Sequence, residues 1–264
     1  MTDFQTIEYE VSSGVATVTL NRPDVHNAFD DRVVPEMTEA LKAAGGDAGV
    51  RCVVLTGAGA SFSAGADLNW MQRMVDADEE ANKADALDMA GLLRALNFLP
   101  KPTIARINGS AFGGGVGLIA CCDIAVAAEG AKFGLTEVKL GLVPAVISPY
   151  VIDAIGQRQA RRLFQSGEVL DAEAAKAIGL IHSVVSADGL DDAVRRQCSL
   201  IGEAGPQAVA AAKALVFAVQ GGRNEDGQKQ IDQATAALIA RLRVSEEGQE
   251  GLMAFLEKRS PTWR

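Results

Sequence analysis

The residues best suited to chemistry lie between Lys101 and Pro144, where a run of glycines is followed by one carboxylate among apolar neighbours. The glycines, 113–115, follow an apolar strand and open an apolar helix. Glycine lets a ligand approach the backbone, and a helix start leaves N–H groups without partners, which suits a developing negative charge. Burial among apolar residues would raise the pKa of the Glu137 carboxyl group. An anion-holding turn beside an acid–base carboxylate is the minimum equipment for chemistry next to a carbonyl group.

The same stretch also matches a pattern of a different class. Residues 115–120 fit the dinucleotide-binding fingerprint G-x-G-x-x-G/A, and Glu137 follows about twenty positions later. In a dinucleotide site, however, the acidic residue should end the second strand, and Glu129 occupies that place. A structural role, in which the glycines let the helix pack closely on a strand, stays open beside the catalytic one.

The composition is that of an ordinary globular protein. A chain of 264 residues can bury a substantial core in one or two domains. No apolar run reaches the roughly eighteen residues that a membrane span needs, and the first residues lack the regions of a secretory signal. The cysteines have no metal-ligand spacing, so they predict free thiols in a reducing cytoplasm and a cytoplasmic protein. They are Cys52, Cys121, Cys122 and Cys198.

Charge and histidine content exclude several kinds of partner and site. The net charge of −9 argues against binding to nucleic acid or to an anionic membrane surface, so we expect neither partner. The only histidines are His26 and His182, which excludes a histidine-rich metal site and gives poor support to a Ser-His-Asp triad. The sequence therefore predicts no metal site.

Short strands that end in glycine or asparagine turns recur through the first half of the chain. Their spacing is irregular, which favours strand–turn–helix units stacked in parallel over a strict repeat. The segment 57–68 is a second glycine-rich turn after a strand, and it lacks the lysine of a phosphate-binding loop. The predicted strands of these units lie at 15–20, 51–56, 103–107 and 124–128.

Two features follow the second glycine turn. The apolar spacing predicts a helix over residues 78–99, which prolines at 100 and 102 end. The segment 70–85 mixes tryptophan, methionine and charges. It could form a mobile lid over a pocket or a solvated loop, and the sequence leaves both interpretations open.

The last part of the chain is predicted to be helical. From residue 191 onward the pattern indicates helices only, broken at 205–206 and 221–222. We therefore divide the chain into a β-containing body, 1–196, with the active site, and a helical tail, 197–264. The tail is expected to bury its apolar residues against the body or another subunit.

Together, the glycine turns and Glu137 resemble the enoyl-CoA hydratase/isomerase (crotonase) superfamily over essentially the whole chain. The combination is specific, although each segment alone would not be. The resemblance implies an α/β fold, namely a spiral of ββα units with a C-terminal helical trimerisation region, in homotrimers or dimers of trimers. It also implies an acyl-CoA substrate and no cofactor, because coenzyme A is part of the substrate. The matching segments are NRPDVHNA (21–28), SFSAGADL (61–68), NGSAFGGGVGLIACCDIAVA (108–127), KFGLTEVKLGLVP (132–144) and FLEKR (255–259).

The resemblance implies a role for individual residues. The backbone N–H groups of Ala66 and Gly114 would form an oxyanion hole, in which losing one donor costs about 3 kcal/mol in other enzymes. Arg22 and Lys258 would be local cations for the phosphates of coenzyme A, although ordinary solvated charges remain the alternative. Phe255 and Lys258 could come from a neighbouring subunit. The other positions expected to line the coenzyme A path are His26, as a wall residue and not a base, Ala28, Ala64, Gly65, Asp67 and Leu68.

One position departs from the family pattern. Hydratases of the family place two glutamates beside the double bond; Glu137 matches the second, and Gly117 stands at the first. Segments 61–71 and 134–152 resemble the branch that hydrates methylglutaconyl-CoA or isohexenylglutaconyl-CoA, where glycine is accepted here. Gly117 would bind substrate by making room for a branched acyl group with its own carboxylate, because two like charges in a dry site repel.

We therefore predict a hydratase that adds water to a 2-enoyl-CoA, of the branched glutaconyl-CoA type, through an oxyanion hole and one glutamate. The alternative is an isomerase that moves a double bond with Glu137 alone. Other acyl-CoA chemistry and a non-catalytic scaffold stay open. Polar candidates that could assist are Asn69, Ser148 and Tyr150, and cations that could pair with a distal substrate carboxylate are Arg73, Lys139 and Arg158.

Overall fold

Two β-sheets built from successive strand pairs form the centre of the fold. The computed structural model describes residues 4–219 and 225–260. The strands are β1 (Ile7–Ser12), β2 (Val15–Leu20), β3 (Cys52–Gly57), β4 (Ser61–Ser63), β5 (Thr103–Ile107), β6 (Ser110–Phe112), β7 (Ile124–Ala128), β8 (Lys132–Gly134), β9 (Val169–Asp171) and β10 (Ser183–Val185). The larger sheet has the order β1-β2-β3-β5-β7-β10, and the smaller one β4-β6-β8-β9.

The strand order confirms the predicted spiral of ββα units. Three strands of the larger sheet, β3, β5 and β7, are parallel, and each is followed by a short strand of the smaller sheet. Glycine is required where successive turns stack on each other. A Cβ atom on Gly109 would overlap the carbonyl oxygen of Ala60, and one on Gly57 would lie 2.5 Å from the carbonyl oxygen of Phe62. The glycine turns noted in the sequence therefore set the spacing between units.

Helices cover both faces of the larger sheet. Because side chains alternate along a strand, Val53 and Leu55 of β3 face the main core, while Val54 packs with Leu190 and Val194 of the seventh helix. The helices are α1 (Val33–Gly46), α2 (Leu68–Asp76), α3 (Glu79–Asn97), α4 (Gly114–Cys121), α5 (Ser148–Ser166), α6 (Ala172–Ala177), α7 (Leu190–Gly202), α8 (Pro206–Val219), α9 (Glu225–Arg243) and α10 (Glu246–Leu256). Within the two described ranges, no helix combines the length and apolarity needed to cross a bilayer.

The segment 70–85 is mostly helical, which differs from the solvated-loop interpretation, and several of its residues line the cavity described below. Its role as a mobile lid stays a prediction. The segment comprises most of α2 and the start of α3, and the indole N–H of Trp70 donates to Asp85 at 2.9 Å. The side-chain amide of Asn82 donates to the carbonyl groups of Met74 and Ala77, which ties the two helices together. The polar residues that suggested a solvated loop instead form hydrogen bonds that hold α2 and α3 together.

The predicted division at residue 196 falls inside α7. Helix α7 packs on the sheet through Leu190 and Val194, and the division of the chain into a body and a tail stays a prediction. The predicted break at 205–206 precedes α8, whereas the break at 221–222 lies outside the described residues. Helix α9 packs on α3, and α10 packs on α2 of the same chain.

Candidate active site

The carboxyl group of Glu137 is held in a dry position. Glu137 begins a short 3-10 turn, Glu137–Leu140, which Gly141 ends with a φ of 72°. The residue is half-buried, but its Oε2 atom has no solvent contact and no hydrogen-bond partner among the described residues. Burial raises the pKa of this carboxyl group from 4.5 to about 7. Glu137 can therefore accept or release a proton at neutral pH.

Helix α10 lies directly against the turn that carries Glu137. A Cβ atom on Gly251 would overlap the carbonyl oxygen of Leu140 and lie 3.0 Å from its Cα atom. A Cβ atom on Gly141 would lie 2.7 Å from the carbonyl oxygen of Glu247. The close approach of backbone to backbone requires glycine at both positions, so the last helix supports the turn.

The glycine run places a helix start beside the carboxyl group. Gly113 has a φ of 49° and a ψ of −118°, which L side chains rarely adopt, and its N–H donates to the Gly134 carbonyl at 3.0 Å. A Cβ atom on Gly113 would lie 3.3 Å from Oε1 of Glu137. Gly114 is the first residue of α4, and its N–H has no hydrogen-bond partner in the described part of the chain.

The second glycine turn brings another free N–H to the same place. The Phe29 N–H donates to the Gly65 carbonyl at 2.7 Å, and the Asp67 N–H donates to the Phe29 carbonyl at 2.9 Å. The Ala66 N–H between them has no partner in ranges 4–219 and 225–260. A Cβ atom on Gly65 would lie 3.0 Å from the Phe112 carbonyl oxygen, so this turn touches the glycine run.

A cavity of about 1390 Å³ connects these groups. It exceeds the roughly 300–1,000 Å³ of common small-molecule pockets, so it suits a long ligand. Glu137, Ala66 and Gly114 are among the residues that line it. Residues that line it from several helices and loops include Trp70, Met71, Val143, Ile147, Leu252 and Phe255. No group of three or more potential metal ligands occurs among the described residues.

Arg22 and Asp67, two predicted binding residues, are engaged within the protein. The Arg22 guanidinium lies 2.9 Å from Asp67 and 3.2 Å from Asp30, and it also donates to the Ala28 carbonyl. The Asp67 carboxylate caps α2 by accepting from the N–H groups of Asn69 and Trp70. Burial opposes ionisation of Asp67, but these N–H groups and Arg22 outweigh it and lower the pKa. The geometry gives Arg22 and Asp67 a role in holding the Ala66 turn.

The other predicted coenzyme A residues are only partly brought together. Ala64, Gly65 and Phe255 line the cavity, and Phe255 does so from the same chain. Ala28 is buried and does not line the cavity, and Leu68 is exposed at the start of α2. His26 lies 3.0 Å from the Ser61 hydroxyl through Nδ1, outside the cavity lining.

Lys258 is exposed and does not line the cavity, whereas its neighbour Arg259 does. Both carboxylate oxygens of Glu250 accept from Arg259, at 2.7 and 2.8 Å. The sequence analysis missed Arg259, although it lies in the FLEKR segment that carried the resemblance. It also missed Arg243, which lines the cavity 4.8 Å from the Trp70 ring centroid and 3.2 Å from Asp85. No motif surrounds Arg243 in the sequence.

Gly117 lies outside the cavity lining, which changes the interpretation of this position. A Cβ atom there would overlap Cγ2 of Ile147, lie 2.9 Å from its Cβ and lie 3.5 Å from Cδ2 of Leu93. The space left by the missing side chain is filled by Ile147, which itself lines the cavity. The geometry therefore does not support the idea that Gly117 itself makes room for the acyl group.

The remaining polar candidates differ in their access to the cavity. The Ser148 hydroxyl donates to the Ala145 carbonyl at 2.7 Å, Asn69 is exposed and Tyr150 is buried. Arg73 pairs with Asp31 at 3.1 Å. Of the three predicted cations for a distal carboxylate, only Lys139 lines the cavity; Arg73 and Arg158 do not.

Among the described residues, two backbone N–H groups without partners and a buried carboxyl group line one cavity, and this combination defines an enzyme class. Such a site stabilises negative charge on a carbonyl oxygen while a proton moves at the neighbouring carbon. Residues 10–264 match the family model described as enoyl-CoA hydratase/isomerase. The chain belongs to the enoyl-CoA hydratase/isomerase family.

Individual relatives cover nearly the whole chain. A Thermus thermophilus protein assigned by name to the enoyl-CoA hydratases is 36% identical over 94% of this chain and 96% of its own length. The crystal structure of an enoyl-CoA hydratase from Shewanella pealeana is 45% identical, with a TM-score of 0.80, over 99% of this chain and 97% of that one. The crystal structure of an enoyl-CoA hydratase from Mycobacterium avium is 37% identical, with a TM-score of 0.86, over 98% of this chain and 99% of that one.

Proposed function

We propose that this chain is an enoyl-CoA hydratase that adds water to a 2-enoyl-CoA thioester. The observation that carries the proposal is that, within the described residues, Oε2 of Glu137 and the N–H groups of Ala66 and Gly114 have no partners, while all three residues line one cavity. The names of the relatives support hydration over isomerisation. Coenzyme A enters as part of the substrate, and the proposed reaction needs no metal or separate cofactor.

In the proposed mechanism one carboxylate performs both proton transfers. Ionised Glu137 accepts a proton from water while the water oxygen bonds to C3 of the acyl group. The electron pair of the C2–C3 double bond moves toward the thioester carbonyl, and the resulting charge on its oxygen accepts from Ala66 and Gly114. Glu137 then returns the proton to C2. The sum is the addition of one water molecule, and the carboxylate is regenerated.

The proposed substrate carries a branched acyl chain of the methylglutaconyl-CoA type. Apolar side chains such as Val143 and Ile147 line the cavity that holds the Glu137 carboxyl group, which suits a methyl branch. Lys139 lines the same cavity from the Glu137 turn, and it would pair with a distal carboxylate. We also propose a homotrimer or a dimer of trimers, supported by the exposed Leu215 and Val216 on α8.

The activity can be tested by following loss of the conjugated thioester absorbance with crotonyl-CoA and with 3-methylglutaconyl-CoA. Product mass should increase by one water, and the branched diacid should be preferred. A shifted double bond in a 3-enoyl-CoA, without water gain on either 2-enoyl-CoA, would contradict the hydratase and establish the isomerase.

The pH dependence of hydration should follow the Glu137 carboxyl group. Because ionised Glu137 starts the reaction, kcat/KM should rise with pH and level off above an apparent pKa of about 7. The measurement is initial hydration rate across buffers of constant ionic strength. Binding of saturated butyryl-CoA over the same range is the control and should vary less. A midpoint near 4.5, the ordinary value, would show that the carboxyl group is not desolvated in the working enzyme.

A further inference from the structure

We propose that Ile147 is a specificity-determining residue of this site, and that Gly117, which has no side chain, leaves the space that Ile147 fills. The side chain of Ile147 occupies the volume of a carboxylate at position 117 and forms the wall against which a substituent at C3 of the acyl group packs. This inference rests on the proposed function, because the substituent belongs to the proposed 2-enoyl-CoA substrate.

The first observation is the overlap between positions 117 and 147. Gly117 lies one turn along α4 from Gly113, whose hypothetical Cβ points at the Glu137 carboxyl group. From position 117, a Cβ atom would overlap Cγ2 of Ile147. A larger side chain at 117 would extend further in the same direction, so it cannot coexist with Ile147 in its present place.

The second observation is that neither Ile147 nor Leu93 can move easily to admit a side chain at position 117. Ile147 is 4% exposed, and its carbonyl accepts from the Val151 N–H at 3.1 Å at the start of α5. The preceding turn is fixed by the Ser148 N–H and hydroxyl, which both donate to the Ala145 carbonyl. Leu93, the other side chain near a Cβ atom at position 117, is fully buried in the main core.

The third observation is that Ile147 lines the reaction cavity, while Gly117 and Leu93 do not. The element of this site that meets the acyl group is therefore an apolar branched side chain. One methylene in an apolar pocket changes specificity by about 10- to 200-fold in other enzymes. Because Ile147 takes the place of a second carboxylate, Glu137 is the one carboxylate of the proposed reaction. The side chain of Ile147 also makes the site prefer a methyl-branched acyl group.

The test compares Ile147→Ala, at the residue that precedes α5, with Ile155→Ala, a truncation of the same size inside α5 that lies outside the cavity lining. We expect Ile147→Ala to lower the ratio of kcat/KM for 3-methylglutaconyl-CoA over crotonyl-CoA by about tenfold. Ile155→Ala should leave that ratio within about twofold while lowering thermal stability. An unchanged ratio in Ile147→Ala would overturn the specificity role.

A double-mutant cycle tests the pairing itself. Gly117→Glu should lower the melting temperature sharply, and the same change in the Ile147→Ala background should lower it less, because alanine lacks the overlapping Cγ2 atom and keeps only the Cβ atom 2.9 Å away. Equal losses in both backgrounds would overturn the pairing. The cycle measures only thermal stability, so its result remains informative if the chain hydrates no enoyl-CoA.

Binding of saturated thioesters separates this inference from the proposed function. If wild-type protein adds no water to either substrate, the proposed function fails. Isovaleryl-CoA and butyryl-CoA differ by a methyl branch at C3. The ratio of their affinities therefore still measures the contact between that branch and the Ile147 side chain. That ratio should fall in Ile147→Ala, and an unchanged ratio would contradict the inference.

Discussion

Replacement of Glu137 by glutamine should lower kcat for hydration by about 10²- to 10⁴-fold while leaving the affinity for butyryl-CoA nearly unchanged. Glutamine keeps the shape of the side chain but cannot accept the proton of water or return one to C2. Steady-state kinetics with crotonyl-CoA and calorimetric binding of butyryl-CoA provide the two measurements. Turnover that survives the substitution would remove Glu137 from the mechanism.

Thermal unfolding supplies the control for Glu137→Gln. The folded-state pKa of Glu137 is raised, so the folded protein binds this proton more tightly than the unfolded chain. The corresponding contribution to stability is fully present below pH 4.5 and is lost as the pH rises through about 7. Glutamine carries no charge to bury, so the variant should melt at the same or a higher temperature at pH 8. A much lower melting temperature would mean that lost activity reflects misfolding.

Replacement of Ala66 by proline should lower kcat by about 10²- to 10³-fold, because proline removes one N–H of the proposed oxyanion hole. The two hydrogen bonds that hold this turn use the Phe29 and Asp67 N–H groups, and neither is lost. The effect should appear in kcat more than in KM, since the charge on the thioester oxygen is greatest in the transition state.

Ala66→Ser is the matched control for the proline variant, because it changes the side chain and keeps the backbone N–H. Its kcat should stay within about tenfold of wild type, well above that of Ala66→Pro. Circular dichroism should show that both variants fold alike. Equal activity of the two variants would exclude the Ala66 N–H as a donor to the reaction.

The sequence was most informative where function is carried by the backbone or by neighbours in the chain. A turn that needs a positive φ or a close contact between backbone segments requires glycine, which can be recognised in the sequence. Gly113 and the turn that contains Ala66 could therefore be found. The burial of Glu137 followed from its apolar neighbours, and the strand–turn–helix units followed from recurrent strands ending in glycine. The ββα spiral came from the family resemblance.

Contacts between distant segments were not visible in the same way. Gly117 and Ile147 lie thirty positions apart in the numbering, and only the packing of α4 on α5 shows that one fills the place of the other. Arg22 looked like a free cation because its partner Asp67 arrives from another unit of the spiral. Arg243 reaches the cavity only because α9 folds back on α3.

The contact between Gly251 and Leu140 has a consequence for the time at which the enzyme becomes active during its synthesis. Translation proceeds from the N-terminus at about 5–20 residues per second, so the Glu137 turn emerges several seconds before α10. During that interval the spiral can form, but the turn lacks the helix that backs it and the wall that Leu252 contributes. A ribosome-bound chain would thus hold a folded body without a finished catalytic centre, and activity would begin only when the last helix docks.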